Sequence, residues 1–99
     1  MSQTVMVMRW AGVKPEQYEE ARRTVDWEGD VPDGAVLHVS GFDGGDLRVT
    51  DVWESQEQFE RFVGERLMPA VKEIGIEGEP EVEFYPVTLV FNPGVPTAA

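Results

Sequence analysis

The segment Thr4–Trp10, TVMVMRW, constrains this chain more than any other. Side chains alternate along a β-strand, so Val5 and Val7 lie on one face and Met6, Met8 and Trp10 on the other. Both faces are apolar, and such a strand has to be covered from both sides. The chain has 99 residues for the task, which suits one domain and leaves no room for two. A domain of this size removes only about 60–65% of its unfolded surface from water, so a partner surface would help it.

The rest of the sequence divides cleanly. Ala11-Gly12 ends the first strand, and Val13–Trp27 reads as a helix. Pro15 fits a first helical turn, Glu16, Glu19 and Glu20 suit the positive end of the helix dipole, and Tyr18, Ala21 and Val25 fall on one face. Glu28–Gly34 is a loop by its Gly, Pro and Asp content. Ala35–Phe42 and Asp46–Trp53 read as strands joined at Gly44-Gly45, a two-residue hairpin signal because glycine accepts positive φ. Ser55 and Gln58 have capping-box spacing, and Phe59, Phe62, Val63, Leu67, Val71 and Ile74 follow as a wide apolar stripe. Gly64 costs that helix roughly 1 kcal/mol relative to Ala. Pro69 predicts a kink or the start of a second short helix, and Gly75 ends it. Glu81–Phe91 is the fourth strand, and Pro86 consigns it to a sheet edge or a bulge. Asn92–Ala99 is a tail on a single domain whose core spans 4–91.

The order β-α-β-β-α-β is the ferredoxin-like arrangement, an α+β fold with both helices on one face of a four-stranded antiparallel sheet. The expected strand order is 4-1-3-2, with the Pro86 strand at an edge. The other face stays bare and apolar, and a second copy packed sheet on sheet is the cheapest cover. A homodimer closing into an α+β barrel is the expectation.

Composition narrows the function. With 19 acidic and 8 basic side chains the formal charge is −11. That repels nucleic acid and anionic membrane alike. There is no cysteine and one histidine, His38, so disulfides, thiolate chemistry and multi-histidine metal sites within one chain are not expected. Neither a membrane span nor a signal peptide is evident, and a cytoplasmic domain without metal or cofactor is expected.

The element order, the bare apolar face and the segment Asp51-Val-Trp-Glu-Ser55, followed by Phe59 and Phe62, resemble the dimeric α+β-barrel superfamily. The nearest likeness is to antibiotic biosynthesis monooxygenase-like proteins and their uncharacterised small relatives, over roughly Thr4–Phe91. The resemblance implies the fold, the dimer and a small cavity. Its chemistry spans cofactor-free oxygenases of aromatic polyketides, haem-degrading enzymes, cyclases, isomerases and proteins of no known activity. The haem-degrading branch has a histidine on the second helix; this chain has none there.

The hairpin register locates candidate chemistry. With Gly44-Gly45 as the turn, Phe42 faces Leu47, Ser40 faces Val49, His38 faces Asp51 and Val36 faces Trp53, all on one side. Leu37, Val39, Thr50 and Val52 take the other side and suit the helices, so His38, Ser40, Asp51 and Trp53 are expected on the barrel side. There His38 is the candidate acid/base for a phenol or enol, Asp51 its orienter, and Trp53 a wall for a small apolar or aromatic ligand. Ser40 and Arg9 are further candidate ligand contacts. Two alternatives stand beside this one: a carrier dimer that binds without turnover, and a structural dimer in which His38 and Asp51 form a cross-strand hydrogen bond worth about 0.2–1 kcal/mol. Arg9 has its own alternative, pairing with an acidic neighbour or snorkelling to the rim.

Overall fold

The computed structural model describes residues 3–94. Its elements are β1 (Thr4–Ala11), α1 (Pro15–Val25), β2 (Ala35–Asp43), β3 (Asp46–Trp53), α2 (Gln56–Phe62), a π turn at Val63–Leu67, α3 (Met68–Ile74) and β4 (Glu81–Pro86). The sheet order is β2-β3-β1-β4, every pairing antiparallel. This is the expected ferredoxin-like order, and β4 is the edge strand its proline requires.

Local chemistry explains the element ends. Gln17 Oε1 accepts the Lys14 backbone N–H at 2.9 Å and closes the start of α1. The helix stops at Val25, earlier than expected, because Asp26 turns left-handed with φ 57° and its carboxylate accepts the Gly29 N–H. Ser55 Oγ caps α2 by accepting the Gln58 N–H. The expected disruption at Pro69 takes the form of a widened turn. Proline has no N–H to donate and its ring crowds the preceding turn, and the helix responds just before it with a π turn in which the Met68 N–H reaches the Val63 carbonyl. Gly75 closes α3 at φ 88°.

Three expectations about the strands need correction. β4 ends at Pro86 and does not continue to Phe91. The missing proline N–H breaks the ladder, one further bond joins the Val87 N–H to the Gln3 carbonyl, and Leu89 and Phe91 stand exposed. In the hairpin, His38 does face Asp51 and Ser40 faces Val49, but a bulge between Ala35 and Leu37 brings Ala35, in place of Val36, opposite Trp53. The third concerns sides. The face carrying His38, Ser40, Asp51 and Trp53 packs on the helices, and Leu37 and Val39 point away from them. Volume decides this. That face also holds Met6, Met8, Trp10, Leu47 and Val49, which form the core with Phe59 and Val71. The smaller residues opposite could not fill the same space.

Part of the expected tail, residues 95–99, lies outside the described residues. No helix among the described residues is long and apolar enough to cross a membrane.

Candidate functional site

The site is built around one buried carboxylate. Asp51 sits in the middle of the sheet, paired with Met6 on β1 and His38 on β2, and is 6% exposed. Each oxygen takes a donor: Trp53 Nε1 donates to Oδ2 at 2.9 Å, and His38 Nδ1 donates to Oδ1 at 2.7 Å. The imidazole proton therefore sits on Nδ1, directed at Asp51, and in the neutral imidazole Nε2 carries the lone pair. Strand geometry makes this possible, because Asp51 and Trp53 are two apart on β3 and share a face.

The chain of contacts continues onto α1. The Tyr18 hydroxyl lies 2.9 Å from His38 Nε2 and 2.6 Å from Ser40 Oγ. With Nε2 as acceptor, the tyrosine donates to it and Ser40 donates to the tyrosine. Tyr18 and His38 rings are within 6° of parallel, Phe42 meets Tyr18 edge-on, and Trp27 packs on both the tyrosine and the histidine. Burial is the main cause that pushes the Tyr18 hydroxyl above its ordinary value, against the opposing hydrogen bond from Ser40, so it stays protonated at neutral pH. Among the described residues no buried side-chain nitrogen or oxygen lacks a hydrogen-bond partner.

This network opens onto a pocket of about 370 Å³ between the sheet and the helices. Met8, Trp10, Leu47 and Val49 form its floor, and Phe62, Leu67 and Val71 its roof. Trp27, Val31 and Pro32, from the loop between α1 and β2, also line it. At the far end Trp10 Nε1 donates to the Glu77 carbonyl at 3.0 Å, which leaves the indole face to the pocket. Tyr18, Glu28, His38 and Asp51 are the polar or charged residues that line it, and none of the described lining residues is Lys or Arg. Glu28 is anchored by two hydrogen bonds from Arg22, at 2.6 and 3.0 Å, which hold its carboxyl below the usual range. A pocket of this size and lining suits a small, flat, largely apolar ligand. No group of three or more metal-binding side chains occurs among the described residues.

Of the residues singled out in the sequence, His38, Asp51, Trp53 and Ser40 come together. Ser40 joins through Tyr18 and not through the pocket wall. Arg9 is elsewhere: it lies on the opposite face of the sheet, bonded to Asp46 at 2.8 Å and near Glu81 at 3.5 Å. Tyr18 and Trp27 were missed. Tyr18 lay on the helix stripe and looked like packing, yet a half-buried tyrosine hydroxyl needs a polar partner, and that need was the available signal.

No protein-family model matches the chain, and no curated protein matches it in sequence. Solved structures do match in fold. SnoaB, a cofactor-independent oxygenase from Streptomyces nogalater, superposes with a TM-score of 0.67 at 14% identity, over 91% of this chain and 97% of that one. The NE2512 protein of unknown function from Nitrosomonas europaea gives 0.67 at 13% identity, over 94% and 96%. A proposed antibiotic biosynthesis monooxygenase from Chloroflexus aurantiacus gives 0.67 at 14% identity, over 94% and 100%. At such identities the likeness is one of fold: this chain has the ferredoxin-like fold of the antibiotic biosynthesis monooxygenase-like proteins.

Proposed function

We propose that the protein is a cytoplasmic homodimer that binds a small, neutral, hydroxylated aromatic or polyketide-like compound and carries out cofactor-free oxidation or proton transfer on it. One observation carries this reading. The apolar pocket has few polar residues in its lining, and one of them is a histidine oriented by a buried carboxylate. His38 is the acid/base, Asp51 fixes its tautomer, and Trp53 both holds Asp51 and walls the pocket. Arg9 lies outside this pocket, paired with Asp46 and Glu81.

The chemistry follows from the base. Removing the proton of a phenol or enol hydroxyl leaves an electron-rich anion, which can itself reduce dioxygen. Where the hydroxyl is the enol of a ketone whose conjugated ring carbon is a CH2 group, that carbon of the anion adds O2 and the adduct takes up a proton to give a hydroperoxide. Loss of water then leaves C=O, so four electrons pass from carbon to O2, and one oxygen ends in the ketone and one in water. The resemblance in fold to a cofactor-independent oxygenase supports this class of reaction.

The dimer is supported by apolar surface that the single chain leaves in water. Leu37, Val39 and Tyr85 stand on the bare sheet face, and Leu89 and Phe91 beyond β4 are also exposed. A specific observation favours a second reading, binding without turnover: His38 already has hydrogen-bond partners on both nitrogens.

Native mass spectrometry of the freshly purified protein, followed by dioxygen uptake with any compound it retains, separates these readings. We expect a dimer that consumes dioxygen with that compound, and a His38→Ala variant that stays dimeric and loses turnover. Full activity in His38→Ala would sink the assignment of the base. Affinity without turnover in air favours the carrier. A bare monomer overturns the dimer.

A further inference from the structure

Both nitrogens of His38 are occupied. Nδ1–H donates a hydrogen bond to Asp51 Oδ1 at 2.7 Å, and Nε2 accepts from the Tyr18 hydroxyl at 2.9 Å. A ligand hydroxyl arriving in the pocket therefore finds no free lone pair on the imidazole. The group it can meet is Tyr18, which lines the same pocket.

We propose that Tyr18 is a catalytic residue: its hydroxyl receives the substrate's hydroxyl proton and hands its own to His38 Nε2. This rests on the acid/base reading of His38 and names the atom through which that base reaches its substrate. A phenol oxygen can donate one hydrogen bond and accept two. Tyr18 donates to Nε2 and accepts from Ser40 at 2.6 Å, which leaves one lone pair for the substrate. In the transfer the substrate O–H bond breaks and a new Tyr18 O–H bond forms. The former Tyr18 O–H bond breaks and Nε2–H forms. The products are a substrate anion, an intact tyrosine and an imidazolium held by Asp51. No electron changes hands in this step, and no further reagent is required.

Three features prepare the tyrosine for this. Trp27 and Phe42 pack against the ring and restrict its swing. Ser40, two residues along β2 from His38, shares its face and fixes the hydroxyl from the other side. Burial keeps the phenol neutral at working pH, so it has a proton to give.

The relay makes a prediction opposite to that of simple displacement. If the substrate instead pushed Tyr18 aside to reach His38, removing the hydroxyl would free Nε2 and help. The test uses para-nitrophenol, a flat neutral phenol whose anion is coloured. Its binding is followed by quenching of tryptophan fluorescence and its ionisation by absorbance, at one fixed pH at which the free probe stays protonated, with wild type, Tyr18→Phe and His38→Ala. We expect the wild type to bind and ionise the probe. Tyr18→Phe should bind it and lose ionisation about tenfold or more, one unit in the probe's own pKa, because the missing hydroxyl leaves a gap between the probe's oxygen and Nε2. His38→Ala should bind without ionising.

Equal or greater ionisation in Tyr18→Phe overturns the relay and leaves His38 as a directly acting base. Binding without ionisation by the wild type overturns the relay together with the acid/base role, and leaves a carrier. Absence of binding by the wild type overturns the pocket reading as a whole. Circular dichroism and thermal melting of each variant identify any that fails to fold, and Tyr18→Trp, which keeps an aromatic side chain without the phenol, then replaces Tyr18→Phe.

Discussion

The two faces of the one sheet are made from the same strands and have opposite fates. The helix face carries Met6, Met8, Trp10, Leu47, Val49 and Trp53, all buried, with Asp51 among them. The bare face carries Val5, Val7, Leu37, Val39 and Tyr85 at one end and charged residues at the other. There Arg9 lies directly opposite Arg48, a like-charge pair that disfavours the ladder. Each arginine is answered by an acid, Arg9 by Asp46 and Glu81, Arg48 by Asp43. Those pairs are exposed and screened by water, so their contribution is small. On the helix face the Asp51 carboxylate is enclosed with its bond from Trp53, and there an unmade hydrogen bond costs far more than it does in water. The difference teaches that burial, more than residue type, decides which polar group carries consequences.

The largest expected contrast lies at neighbouring positions on β1. Met6 is 0% exposed, and truncation leaves a cavity in the core. Met6→Ala should cost about 2–5 kcal/mol in denaturant unfolding. Val7→Ala, one residue along on the bare face, should cost clearly less when measured at a concentration too low for dimer to form. Equal losses would erase the distinction between the faces.

Asp51→Asn comes next. An amide in place of the carboxylate turns an NH2 group toward either the Trp53 or the His38 N–H, or forces His38 into the other tautomer. One buried donor is then unmet at about 1–3 kcal/mol. The tautomer change would put a proton on Nε2, so the variant should lose probe ionisation even where it remains folded. Retention of full ionisation would show that Asp51 does not orient the base.

How much of this was legible in the sequence depends on the kind of signal. Gly44-Gly45 set the hairpin register as far as His38 opposite Asp51, because a two-residue turn leaves no freedom in pairing. Beyond that point the bulge at Ala35–Leu37 shifted Trp53 to Ala35, and nothing in the local residues marks it. Parity was readable, but sidedness was not, since both faces are apolar at their centre and only the total volume of Met6, Met8, Trp10, Leu47 and Val49 distinguishes them. Pro86 announced the edge strand and also ended it, whereas the apolar residues after it suggested continuation. Tyr18 was visible as a helix-face residue. Its role depends on the distance to a strand twenty residues away, which periodicity cannot supply.

On the bare face, the sharper test is association. Val39 is 55% exposed in the single chain and sits on β2, along one edge of the bare face. Val39→Asp should weaken the proposed dimer about tenfold or more, equivalent to about 1.4 kcal/mol. Sedimentation at low concentration reads it directly. The helix-face pocket should keep its probe affinity. If the dimer survives unchanged, the apolar face is covered in some other way or left open.

The smallest effect is an alkaline one, and it returns to the helix face. Tyr18 ionises above the ordinary tyrosine value of 10.0 in the folded protein, mainly because it is buried, with Glu19 and Asp51 adding to the rise and Ser40 and Arg22 opposing it. Between about 10 and the folded value the unfolded chain has lost this proton and the folded chain has kept it. The folded state then binds more protons, so stability falls as pH rises through that window and is fully in place below it. Other tyrosines and the lysines titrate in the same range, so the quantity to follow is the stability of wild type minus that of Tyr18→Phe. It should be flat at neutral pH and narrow above about 10. Half-exposure of the ring keeps the change to a fraction of the full desolvation effect. A difference that stays constant through the alkaline range would mean that the hydroxyl is as well solvated in the fold as outside it, and the enclosed character of this end of the pocket would go with it.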